Sequence, residues 1–215
     1  MDAPVEPPAM ALALAASFGS VERWRESFVE TGHSLGETPG QVLLVFRPQE
    51  GRLVHRRTTD RAPDPEGGIT ILAFDNPGDI GSFVAGIDWN PAYERYQVAV
   101  HAVSEAFGAD QDEIAGALLL DVRRAGVFEQ AASMIPGAHW QDPAAVARWA
   151  GELPADREVV VYCVYGHEVG RATAMRLRAA GLKARYLRGG IDGWQSAGRP
   201  LAAKPGQQGA TSTAW

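Results

Sequence analysis

The sequence predicts an α/β domain with a mainly parallel sheet in its C-terminal half, preceded by a small α+β domain. Residues 118–122 and 159–163 are continuous apolar runs, the pattern of strands buried on both faces. Helical patterns follow each run, at 144–150 and at 171–180 with Gly181 as the stop, and alternating strand and helix is the mark of a parallel sheet. The first half instead opens with a helical pattern followed by strand-like runs, so a seam is expected near residues 95–100.

The first helix is expected over 21–29, capped by Ser20, with Val21, Trp24, Phe28 and Val29 on one face. A loop rich in Gly, Ser, Thr and Pro covers 31–40. Residues 41–46 and 53–57 read as two strands joined by a turn at 49–51, and 69–74 is a third apolar run. Short helices are expected over 79–85 and 90–96. The resulting division is a disordered start at 1–15, domains at 16–97 and 98–204, and a disordered tail at 205–215.

A chain of 215 residues has room for one large core or two small ones. With 46% apolar and 21% charged residues it matches ordinary globular proteins. A net charge of −6 and a pI near 5.4 argue against nucleic acid and anionic lipid as partners. The single cysteine excludes an internal disulfide and suits a reducing cytoplasm, the expected location. The apolar stretch at 9–18 is too short to span a bilayer. It follows Asp2, Glu6, Pro7 and Pro8 rather than basic residues, so neither membrane association nor a secretory leader is expected.

Cys163 carries the chemistry. It ends an apolar strand, and Val164, Tyr165, Gly166, His167, Glu168 and Val169 lead through Gly170 into a helix. A loop curling into a helix N-terminus aims several backbone N–H groups at one point. Such donors stabilise a thiolate, and they hold an oxyanion or the outer sulfur of a persulfide equally well. A cysteine ending a buried strand also serves as a small core residue. The surrounding motifs separate the two readings.

Leu119-Leu120-Asp121-Val122-Arg123, Ile135-Pro136-Gly137-Ala138, Val161-Tyr162-Cys163 and Tyr186-Leu187-Arg188-Gly189-Gly190-Ile191-Asp192-Gly193-Trp194 occur in that order. Together they make residues 98–201 resemble a rhodanese domain. The resemblance implies a rhodanese-like parallel sheet flanked by helices and a thiosulfate sulfurtransferase-like activity that needs no cofactor. Cys163 would take the outer sulfur of a small-molecule donor as a persulfide and pass it to a thiol or cyanide acceptor, with the amides of residues 164–169 stabilising the anions. The loop departs from the family in one respect. Where an arginine or a small polar residue is common, this chain has His167 and Glu168, and a carboxylate there disfavours a dianionic donor. Arg171 lies eight positions after Cys163, which excludes the Cys-x5-Arg loop of cysteine phosphatases. Asp121 and Arg123 are expected to form a structural ion pair, and Trp194 to sit in the core.

In the first half, Phe18-Gly19-Ser20-Val21-Glu22-Arg23-Trp24 with Phe28, Ile71-Leu72-Ala73-Phe74-Asp75, and Ile87-Asp88-Trp89-Asn90 with Tyr93 and Tyr96 resemble the C-terminal domain of iron/manganese superoxide dismutases. That resemblance implies a three-stranded antiparallel sheet and places Asp75 at the metal-binding aspartate. The family's His ligand segment is missing after Asp75, where Asn76-Pro77-Gly78-Asp79 follows, and its N-terminal helical domain is expected to be absent. One carboxylate cannot hold a metal that wants three imidazoles, so Asp75 is expected to be a helix N-cap or a relic and no metal is expected. His33, His55, His101 and His139 show no ligand spacing. This half is expected to pack against the other, to form a homodimer or to dock a partner. Two alternatives stand beside the sulfurtransferase: a non-catalytic rhodanese-like sensor or binding protein in a stress pathway such as chromate resistance, and a residual superoxide dismutase.

Overall fold

A computed structural model of the chain describes residues 7–59, 64 and 66–204. It divides into two compact units, Met1–Val103 and Ser104–Trp215. The tail expected at 205–215 and the first six residues lie outside the described residues.

The first unit begins with α1 (Pro8–Phe18) and α2 (Val21–His33). Residues 8–15, expected to be disordered, are helical. They are mostly alanine and leucine, which favour helix, and Pro8 suits a helix start. Met10 and Leu14, one turn apart, are fully buried. Ser20 accepts the N–H of Arg23 at 3.1 Å and so caps α2, burying Trp24 and Phe28 as the sequence predicts.

The strands β1 (Gly40–Arg47), β2 (Arg52–Thr58) and β3 (Ile69–Asn76) form an antiparallel sheet in the order β2-β1-β3. The central strand buries every side chain from Val42 to Phe46. Two helices follow, α3 (Ile80–Ala85) and α4 (Trp89–Ser104). The latter extends well past the expected 90–96, because Ala92, Tyr96, Ala99 and Val100 continue one buried stripe. Asp75 is not a helix cap. It sits exposed on β3, where its Oδ1 accepts from Gln41 Nε2 at 2.8 Å. Asp79 caps α3 instead, accepting the N–H of Ser82 at 3.1 Å.

The second unit continues with β4 (Gly108–Ala109), β5 (Leu118–Asp121), α5 (Ala125–Gln130), β6 (Ser133–Met134), β7 (His139–Trp140) and α6 (Val146–Trp149). It closes with β8 (Val159–Tyr162), α7 (Glu168–Ala179), β9 (Ala184–Leu187), α8 (Gly190–Ser196) and β10 (Ala202–Ala203). Five strands form one all-parallel sheet in the order β4-β9-β8-β5-β7, and β10 pairs antiparallel with β6.

Alternate residues of β8 feed two cores. Val159 and Val161 join Trp149, Leu177 and Tyr186 on one face, while Val160 and Tyr162 join Ile135, Ile191 and Trp194 on the other. The central strand is therefore covered on both sides, as its unbroken apolar run requires. At the end of α7 the N–H of Leu182 bonds the carbonyl of Leu177 at 3.0 Å, beyond Gly181, and the chain turns back into β9. The C-terminal ends of β5, β8 and β9 thus meet at one edge, where open α/β sheets place their sites.

Candidate active site

Cys163 follows β8 at this edge and is 5% exposed. The backbone N–H groups of Gly170, Gly166, His167 and Tyr165 all donate to its sulfur. Burial pushes the thiol above its ordinary range, and these four amides pull it back in part. The loop is tight enough that a Cβ on Gly170 would lie 3.4 Å from Sγ.

Two glycines make that path possible. Gly166 has φ of 70°, and a side chain there would meet the carbonyl of Leu187 at 2.7 Å. Gly190 has φ of 58°, and its Cβ would fall 2.4 Å from the Val164 carbonyl and 2.5 Å from that of Cys163. The turn at Gly189 and Gly190 thus forms one wall of the cysteine loop. Beyond it, Ile191 N–H donates to Cys163 O at 3.0 Å and Asp192 N–H to Val164 O at 2.9 Å.

The residues expected at the site form the loop that follows Cys163 and the first turn of α7. Val164 is half-buried and Gly166 is buried. Tyr165 is 57% exposed, and its ring centroid lies 5.7 Å from that of the exposed His167. Glu168, the first residue of α7, is only 6% exposed. Val169 is half-buried, and its carbonyl accepts from Thr173 Oγ1 at 2.7 Å.

Arg171 braces the loop from behind. Its Nε donates to Gly166 O at 2.9 Å, and its NH1 group donates to Ser104 Oγ at 3.1 Å and to Glu105 Oε2 at 3.0 Å. Its guanidinium lies 4.2 Å from the centroid of the Tyr186 ring. Arg188 bonds Glu105, Asp110 and the Gly108 carbonyl. Hydrogen bonds, first from Arg171 and then from Arg188, hold the Glu105 carboxyl below its usual range. The reach of Arg171 across the fold and the close approach of Gly190 were not read from the sequence. The one sequence signal was an arginine one turn into the helix.

At the end of β5, Asp121 and Arg123 form the expected ion pair, at 2.5 Å and almost fully buried. Tyr162 donates to Asp121 at 3.1 Å and accepts the N–H of Ile135 at 3.2 Å. Trp194 is in the core as expected, its indole donating to Pro200 O at 2.8 Å. In the first unit, Asp75 is engaged with Gln41 and the ring of His55 is packed between Phe18 and Phe28. Among the described residues no three His, Cys, Asp or Glu side chains gather to hold a metal, so this donor set does not fit a dismutase iron.

A family profile described as "Rhodanese-like domain" matches residues 104–197. A sulfurtransferase of Allochromatium vinosum is 34% identical over 98 residues, which cover 46% of this chain and 87% of that protein. An iron superoxide dismutase of Cupriavidus metallidurans is 34% identical over 105 residues, covering 43% of this chain in its N-terminal part. The chain spans about half the length of that dismutase, 53%. A rhodanese-related protein of Thermoplasma volcanium aligns with a TM-score of 0.40 at 20% identity, over 44% of this chain and 96% of its own.

Proposed function

The chain belongs to the rhodanese-like family through residues 104–197, and on that premise we propose that it is a sulfurtransferase that carries sulfane sulfur as a persulfide on Cys163. One observation carries the reading: four backbone N–H groups converge on the Cys163 sulfur at the N-terminus of a twelve-residue helix. That ring of donors suits the thiolate that attacks and the outer sulfur of the persulfide that results. In the first half-reaction the thiolate bonds the donor's outer sulfur and the donor's S–S bond breaks. In the second, an acceptor thiolate or cyanide takes that sulfur and Cys163 is restored. Gly166 and Gly190 hold the loop path, and Arg171 positions Gly166.

The test is intact mass after incubation with sulfur donors. A gain of one sulfur atom that disappears in Cys163→Ser is the expected result. No gain with any donor overturns the reading.

A second reading is favoured by the burial of Cys163, which keeps its thiol protonated at higher pH than an open loop would. In that reading the domain senses oxidants or thiophilic species without turnover. Charging followed by discharge to cyanide or a thiol, over many cycles, decides for the enzyme. The first unit is assigned a supporting role as a dismutase-like module without a metal. Stoichiometric iron or manganese in purified protein would reverse that assignment.

A further inference from the structure

Resting on the reading of Cys163 as the sulfur carrier, we infer that the amides facing its sulfur are aligned from their carbonyl side, with Thr173 and Glu105 as positioning residues. A trans peptide unit is planar, and its N–H and C=O point in opposite directions. Whatever grips the carbonyl therefore sets where the N–H points. A donor to the carbonyl also polarises the unit and strengthens the bond that its N–H gives.

Three of the four units that donate to Sγ are gripped in this way. The Tyr165 N–H shares its unit with the Val164 carbonyl, which accepts the Asp192 N–H at 2.9 Å. The His167 N–H shares its unit with the Gly166 carbonyl, which accepts Arg171 Nε at 2.9 Å. The Gly170 N–H shares its unit with the Val169 carbonyl, which accepts Thr173 Oγ1 at 2.7 Å. The first grip is backbone, and the other two are the buried side chains of Arg171 and Thr173.

Arg171 is in turn held by Glu105. The Oε2 of that carboxylate accepts the NH1 group of Arg171 at 3.0 Å and the Tyr186 hydroxyl at 3.2 Å. Its Oε1 accepts Arg188 Nε at 3.2 Å and the Arg188 NH2 group at 3.1 Å. Arg188 stands immediately before the Gly189-Gly190 turn, and that turn touches the loop: a Cβ on Gly166 would lie 2.8 Å from Gly189 N and 3.1 Å from Gly190 N. One carboxylate thus fixes both the arginine that grips the loop and the arginine that leads into its wall. Thr173 and Glu105 act on the sulfur through these peptide units.

The experiment follows alkylation of Cys163 by iodoacetamide against pH in the full chain, with a urea midpoint for each protein. The proteins are wild type, Thr173→Val, Thr173→Ser, Glu105→Gln and Glu113→Gln. Thr173→Val keeps the side-chain shape without the hydroxyl, and Thr173→Ser keeps the hydroxyl. Glu113 pairs with Arg185 and reports the loss of an ordinary surface ion pair. The expected result is a profile moved up by roughly 0.3 pH unit or more in Thr173→Val and Glu105→Gln. Thr173→Ser and Glu113→Gln should keep the wild-type profile. Removing the Glu105 charge would by itself move the profile down, so an upward shift there reports alignment. Wild-type profiles in both Thr173→Val and Glu105→Gln overturn the inference, and a shift in one alone overturns the role of the other. An equal shift in Glu113→Gln also overturns it, because lost stability would then be the cause. Sulfur charging by intact mass is a separate arm: no gain in wild type overturns the relay, while the alkylation profiles still decide the alignment.

Discussion

The backbone N–H of Ile191 donates to the carbonyl of Cys163 at 3.0 Å, so the start of α8 is tied to the end of β8. The family motif Gly189-Gly190 lies immediately before that bond. Gly190 is explained by the site, since there is no room for a Cβ between it and the cysteine loop, whereas Gly189 is required by its own φ of 73° and by the backbone of Gly193, 3.2 Å from where its Cβ would lie.

Gly190→Ala is expected to move the loop. The new methyl would lie 2.4 Å from Val164 O in a backbone region that L-residues avoid. A loss of about 2–4 kcal/mol in unfolding free energy is expected from urea titration, together with a fall in persulfide formation. A variant that folds and charges like wild type would show that the wall is not rigid.

Arg171→Met is expected to loosen the loop without removing the contact with Tyr186. Gly166 would lose the partner of its carbonyl, and the amides aimed at Cys163 would spread. Alkylation of Cys163 by iodoacetamide, measured against pH, should then shift to higher pH and slow severalfold at neutral pH. Arg171→Lys should restore little, because an ammonium cannot span Gly166 and Glu105 as the guanidinium fork does. A pH profile identical to wild type in Arg171→Met would restrict this arginine to folding.

What could be read from the sequence followed from how local each signal is. β5 and β8 were placed to within a residue, because a strand buried on both faces has no polar position to blur its ends. The cysteine loop was legible because its donors come from the next seven residues of chain. Arg171 and Ser104 are 67 positions apart, and no local pattern encodes their bond. β4 and β7 have two residues each, too few to show a period. α1 escaped notice because its run is apolar nearly all round and offers no polar face to mark a helix. The cap alternative for Asp75 fails for a related reason. Asp79, four residues on, makes the same type of cap, and only the length of β3 decides between them.

Asp121→Asn is expected to destabilise the second unit by about 3–5 kcal/mol, since it leaves Arg123 buried beside a neutral amide. Arg123→Met should do about the same from the other side. The double variant should lose clearly less than the sum, because the two changes remove one interaction. Urea unfolding of the three proteins measures this. Additive losses would show that the pair is not coupled.

His55 gives the first unit an acid limit. Its Nε2 is buried with no hydrogen-bond partner among the described residues. The ring stacks on Phe18 at 4.5 Å and meets Phe28 edge-on at 5.2 Å. Burial lowers its pKa from 6.5 to about 4. The folded state therefore binds a proton less readily than the unfolded one, so the neutral ring contributes stability that is fully present above pH 6.5. That contribution is lost as pH falls through about 4. After allowance for the partly exposed ring it is on the order of 2 kcal/mol. His55→Phe cannot take up a proton and keeps the aromatic contacts. Its urea midpoint should accordingly fall less than that of wild type between neutral pH and pH near 4. Equal acid slopes for the two proteins would show that His55 stays neutral in the unfolded chain or is solvated in the folded one, and the assigned acid limit would then belong to other groups.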